Sequence, residues 1–119
     1  MIHTELTVWK ESLELLVKTY SFTEKLPRAE RYRFIDQMNR AALSIPSNIA
    51  EGAARGSTKD YIRFLNTAFG SAAELETQYY ASQRLKIIGK EAHYLEQVVL
   101  VMKLLSGQIR ALKKKLIRT

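Results

Sequence analysis

Apolar residues recur every three or four positions along nearly the whole chain, and that spacing is the signature of amphipathic helix rather than strand. Only two prolines and five glycines interrupt the pattern in 119 residues, so it divides into four long segments. The first runs from about Thr4 to Lys25, with Leu6, Trp9, Leu13, Leu16, Val17 and Tyr20 as its apolar face. Leu26-Pro27 ends it, because proline disfavours helical backbone in the residue before it. Pro27 can then open the second helix, where its missing N–H costs nothing. Ile35, Met38, Ala42, Ile45 and Ile49 form that helix's stripe, with Gly52 and Gly56 marking its end. Pro46 lies inside the stripe and removes the backbone bond to the Ala42 carbonyl, which predicts a kink rather than a break.

Ser57 followed by Asp60 reads as a capping box launching the third helix. Tyr61, Leu65, Ala68, Ala72, Leu75 and Tyr79 carry its period to about Ile88. Gly70, mid-helix at a cost of about 1 kcal/mol relative to Ala, points to a closely passing backbone. Gly89 reads as a C-cap, and the last helix starts near Lys90 with Leu95, Val98, Val99, Met102, Leu105, Ile109, Leu112 and Leu116 facing the core. Helices joined by such short turns pack against antiparallel neighbours. The expected fold is all-α: residues 1–119 form a single domain, an antiparallel up-down four-helix bundle with a Pro-kinked second helix. A chain of this length buries roughly two thirds of its unfolded surface. It has no cysteine, so it must do so without disulfides.

The longest purely apolar run, Val98 to Met102, is far too short to cross a bilayer, and the N-terminus lacks the apolar stretch of a signal peptide. These features predict a cytoplasmic protein with no membrane partner. The two histidines, His3 and His93, lie at opposite ends of the chain, Glu91 two residues before His93 falls on a different helix face, and Gly52 to Gly56 lacks the Lys-Ser/Thr of a phosphate loop. No metal, cofactor or catalytic residue is expected, and the chain reads as non-enzymatic.

Two polar stripes flank the core faces. Gln37, Arg40, Ser44, Asn48 and Glu51 follow helical spacing on the second helix, and Thr67, Ser71, Glu74 and Gln78 answer on the third. The reading favoured for them is structural, a half-buried hydrogen-bond ladder that sets register. A small-ligand pocket, or acid–base work by Glu51 and Glu74, are the alternatives.

Nineteen Lys and Arg against twelve Asp and Glu leave a net charge of +7, which favours polyanionic partners. The excess gathers at the C-terminus: no acidic residue follows Glu96, whereas Lys103, Arg110, Lys113, Lys114, Lys115 and Arg118 do. At 100° per residue, Lys103, Arg110, Lys114 and Arg118 span an arc of about 80° facing away from the core stripe. A helix dipole needs fewer cations than this, so these six are candidates for phosphate contact. Arg28, Arg31, Arg33 and Arg40 form a second cluster, read as lacking interleaved aromatics and so suited to backbone contact rather than base stacking. On the last helix Leu100, Val101 and Leu104 widen the apolar surface beyond one bundle's core and are candidates for a homo-oligomer interface.

The stretch QMNRAALSIPSNIAEG (residues 37–52), the later FLNTAFGSAAELETQ (residues 64–78) and the early Val8-Trp9-Lys10 together resemble the four-helix bundle proteins encoded in intervening sequences of bacterial 23S ribosomal RNA genes. That resemblance implies a short-looped bundle assembling into rings, with pentamers as the expected form, and no catalytic residue. Two function classes follow: a basic oligomeric bundle binding RNA or a ribonucleoprotein through phosphate contacts, or a ring-forming protein-interaction scaffold whose charge serves only solubility.

Overall fold

A computed structural model describes residues 2–118. Four α-helices, α1 (Thr7–Glu24), α2 (Asp36–Ala54), α3 (Thr58–Arg84) and α4 (Ala92–Arg118), make up the body, with no strand among the described residues. Cross-helix pairs run in opposite order along neighbours. Ser44 meets Ser71 while Gly52 meets Tyr61 and Phe64, and Thr19 meets Tyr94 while Leu6 lies at the same end as Gln108. The result is an up-down bundle 51 × 21 × 19 Å in extent.

Its centre is aliphatic. Leu15, Met38, Ile45, Ile49, Leu65, Leu75, Val98, Val101 and Leu105 are fully buried; each contributes about 1.5–3 kcal/mol relative to exposure. Towards the α1–α2 and α3–α4 connections the core turns aromatic, with Phe22 stacked on Tyr94 at 4.6 Å and Tyr79 against both. Tyr79 accepts a hydrogen bond from the Glu91 N–H at 3.0 Å, fastening the start of α4.

Helix α1 faces the core with a different stripe from the one its apolar spacing suggests. Val8, Ser12, Leu15, Thr19, Phe22 and Thr23 are buried, whereas Trp9, Leu13 and Leu16 are half-buried and Val17 and Tyr20 exposed. Ser and Thr enter the core because their hydroxyls are satisfied locally: Ser12 donates to the Trp9 carbonyl at 2.7 Å and Thr19 to that of Leu15 at 2.8 Å. Thr19's single proton is then committed, so the Tyr94 hydroxyl donates to Thr19 Oγ1 at 3.0 Å. Gln97 is buried too. Its amide donates to the Glu11 carbonyl and carboxylate at 3.0 and 2.9 Å and accepts from Lys18.

Some of the turns depart from expectation and others follow it. Pro27 opens a 3-10 turn (Arg28–Glu30) and a π-helical turn (Arg31–Ile35), and only then does α2 begin and continue through buried Pro46. Gly56, at φ +75°, takes the left-handed position after α2, and Ser57 caps α3 by accepting from the Asp60 N–H at 3.2 Å. Helix α3 closes not at Gly89 but at Lys86, whose φ of +57° lets the Ile87 N–H reach back to the Ser82 carbonyl at 3.2 Å. Gly70 has nothing within 4 Å of where a Cβ would stand; the close helix approach is at Gly52, where a Cβ would lie 2.8 Å from Phe64 Cβ.

Candidate polyanion-binding surface

The buried stripe of α4 is Tyr94, Val98, Val101, Leu105 and Ile109. Helical geometry puts Lys103, Arg110, Lys114 and Arg118 on the opposite side, in a row about 22 Å long. All four are exposed, as are Lys113 and Lys115. None of the six forms an ion pair among the described residues. Every residue from Lys113 to Arg118 is exposed, so the end of α4 carries its charge beyond the packed body. Arg110–Lys114 and Lys114–Arg118 are like-charged i,i+4 neighbours, each costing roughly 0.2–0.5 kcal/mol. The helix dipole returns about 0.3–1 kcal/mol for cations in the last turn, which roughly offsets that cost. Lys115 sits apart on the flank of α4, lining a hollow with Leu6, Tyr61 and Gln108. Burial pushes the Tyr61 hydroxyl above its ordinary pKa, partly offset by neighbouring Gln108, though no hydrogen bond of good geometry reaches that oxygen.

The same end carries Arg55 and Arg63, but these are already engaged. Arg55 pairs with Glu51 at 2.8 Å and lies over the Phe64 ring, and Arg63 pairs with Asp60 at 3.5 Å.

The two polar stripes do face each other across α2 and α3, yet the expected ladder has a single rung among the described residues. Ser44 and Ser71 hydroxyls meet at 2.6 Å. The Ser44 hydroxyl donates to Ser71 Oγ and has the Ala41 carbonyl of its own helix at 2.7 Å as a second acceptor, so its one proton is shared between the two helices. Asn48 donates to the Ser44 carbonyl within α2, and Glu51 turns to Arg55 just past its end. Gln78 reaches Glu74 on its own helix at 3.4 Å, and its Oε1 is buried without a partner. Gln37, Arg40 and Glu74 are exposed along a shallow groove that Glu51 does not line, and Thr67 is exposed elsewhere on α3, so Glu51 and Glu74 are not brought together. Small buried residues, Ala41, Ala68 and Ala72, fill the seam and leave the longer side chains outside it.

Val101, expected at an oligomer interface, is instead fully buried within the bundle; Leu104 is half-buried against the core, and Leu100 is partly exposed. The helix is rotated so that Val101 takes the central place expected for Met102, which is half-buried. More exposed apolar side chains lie on the α1–α2 side, at Val17 (61%) and Leu43 (52%).

The arginine cluster occupies the other end of the bundle, and here an aromatic does interleave it. Tyr32 stands between Arg31 and Arg33, 75% exposed, in the π-helical turn. The adjacency was visible in the chain itself; its exposure was not, since Tyr79 and Tyr94 are buried. His3 packs edge-on to Trp9 and His93 lies by Glu96, at separate places. Among the described residues no group of three or more His, Cys, Asp or Glu could hold a metal, and no helix is long and apolar enough to cross a membrane.

The model of the 23S rRNA-intervening sequence protein family matches residues 4–107. The chain belongs to that family. A crystal structure of a protein of unknown function from the S23 ribosomal protein family of Bacteroides thetaiotaomicron VPI-5482 superposes with a TM-score of 0.80 at 26% identity, covering 92% of this chain and 99% of that one. No curated protein matches. The 23S rRNA-intervening sequence protein match takes in both polar stripes and Lys103 but stops at Gly107. Arg110, Lys113, Lys114, Lys115 and Arg118, five of the six cations on α4, lie beyond it.

Proposed function

We propose that this 23S rRNA-intervening sequence protein binds structured RNA by its phosphates, using the outer face and projecting end of α4. One observation carries the reading: the cations there are exposed, aligned in one row and unpaired among the described residues. A row rather than a pocket suits a phosphate backbone, with little sequence preference. Four phosphate contacts give a slope of log K against log salt near −3.6, so binding falls about 100-fold between 50 and 200 mM salt. Binding of an RNA hairpin across that range, with the Arg110→Ala/Lys114→Ala/Arg118→Ala variant beside the parent, tests this. The variant's slope should drop by about 3. A salt-insensitive affinity, or a variant that binds like the parent, would favour the protein-interaction scaffold.

Self-association belongs to the same proposal. Val17 and Leu43 on one side of the bundle and Leu100 on another are the apolar surfaces that a neighbouring copy would cover. Several copies would multiply weak phosphate contacts into firm binding.

A further inference from the structure

We propose that the α1–α2 corner is a second, distinct RNA site that takes an unpaired nucleotide, its base stacked on Tyr32 and its phosphates on Arg28 and Arg31. The inference rests on the RNA reading above but on different residues, at the opposite end of the bundle. The Tyr32 ring is 75% exposed. Its neighbour Arg31 holds its guanidinium 5.7 Å from the ring centroid. One guanidinium covers one face of a ring, which leaves the other for a base. Arg33 is committed to Glu30 at 3.1 Å, whereas Arg28 and Arg31 have no carboxylate partner among the described residues.

The backbone there is unusual. A 3-10 turn passes into a π-helical turn, a conformation seen mostly as short insertions and often at functional sites. It holds Phe34 and Ile35 against the core and leaves the Arg-Tyr-Arg tip outside. Beside the tip is a hollow of about 320 Å³ that shares Arg28 and Ile35 with the corner and is walled by the half-exposed Tyr20 ring. Asn39 also lines it. The Asn39 Oδ1 accepts from Thr23 at 2.9 Å, which leaves the amide's N–H donors for a base edge. Glu24 on the rim repels phosphate but accepts from exocyclic amino groups, so the hollow, which Tyr32 does not line, suits the next base of the strand and the arginines suit the backbone. Aromatic ring, flanking guanidinium and adjacent amide are the groups by which single-stranded RNA is held.

The test uses two probes on the full chain: an unstructured ten-nucleotide uridine-rich RNA carrying one 2-aminopurine, and a blunt RNA duplex. Stacking on Tyr32 should quench the 2-aminopurine. Tyr32→Ala should abolish the quench and weaken the single strand by about 5- to 150-fold, the range expected for one base stack. Duplex affinity should stay within about two-fold, and Tyr32→Phe should behave as the parent, since the ring and not the hydroxyl does the stacking. Arg28→Ala should lower the single-strand salt slope by about 0.7. The proposal is overturned if the parent does not bind the single strand, if Tyr32→Ala binds it like the parent, or if that variant weakens duplex and single strand alike. Failure of the α4 reading shows separately, as duplex binding untouched by the α4 triple variant.

Discussion

Replacing Gly52 by Ala should destabilise the bundle, and replacing Gly70 by Ala should stabilise it, although both are glycines inside long helices. Helix propensity favours Ala by about 1 kcal/mol at either position. At Gly52 the added Cβ would stand 2.8 Å from Phe64 Cβ, 3.0 Å from Tyr61 Cδ1 and 3.3 Å from the Tyr61 carbonyl oxygen. Two of those three atoms are backbone or attached directly to it, so α3 as a whole must move. Overpacking of that kind costs about 2–3 kcal/mol, which outweighs the propensity gain and leaves a net loss of about 1–2 kcal/mol. At Gly70 nothing lies within 4 Å and the site is exposed, so the gain of about 0.5–1 kcal/mol stands unopposed. The two variants should differ by about 2–3 kcal/mol, or roughly 10 °C in Tm for a domain of this size. Urea unfolding followed by far-ultraviolet circular dichroism, at one fixed protein concentration, measures both. A Gly52→Ala variant as stable as the parent would refute the close α2–α3 approach, and a Gly70→Ala variant less stable would refute the open face of α3.

Three further outcomes follow from the buried polar groups and the exposed apolar ones. Thr19→Val leaves the Tyr94 hydroxyl buried with no acceptor and should cost about 1–3 kcal/mol, more than Tyr94→Phe, which removes the hydroxyl itself; equal losses in urea titrations would count against the assigned donor. Burial pushes the Tyr94 pKa up to about 12 from its ordinary 10.0. The unfolded chain therefore loses that proton first, and stability should be complete below pH 10 and fall by about 2 to 3 kcal/mol as pH rises towards 12. Tyr94→Phe should flatten that decline, and a decline of unchanged size in the variant would assign it elsewhere. Light scattering of the parent should report an assembly, with Val17→Lys and Leu43→Lys together shifting it towards monomer; a monomeric parent would remove the self-association proposal.

How far the chain could be read depended on whether a property was local. The Ser57–Asp60 cap, the end of α1 before Pro27 and the outward row of cations on α4 each depend on residues within a few positions of one another, and each stands in the structure. The glycines were harder, because a glycine's role depends on what approaches it from another helix: Gly52 and Gly70 exchange the roles their positions suggest, and Lys86 takes the left-handed place expected of Gly89. Tyr32 was readable as an aromatic among arginines, but its value as a stacking surface rests on an exposure that only the folded corner creates.

Helical period, turn chemistry and charge distribution are carried along the chain, and from them alone come four helices in one bundle with a cationic far end. Rotation of each helix about its axis is a different matter. Helix α1 offers two adjacent stripes, and the more apolar one, through Val17 and Tyr20, turns outward while Ser12 and Thr19 go in. Hydroxyls bonded to their own helix are inexpensive to bury, so the choice between stripes rests on how three other helices fill the space against them. The same collective fit sinks Val101 into the core and leaves the polar stripes, among the described residues, one bridge between Ser44 and Ser71.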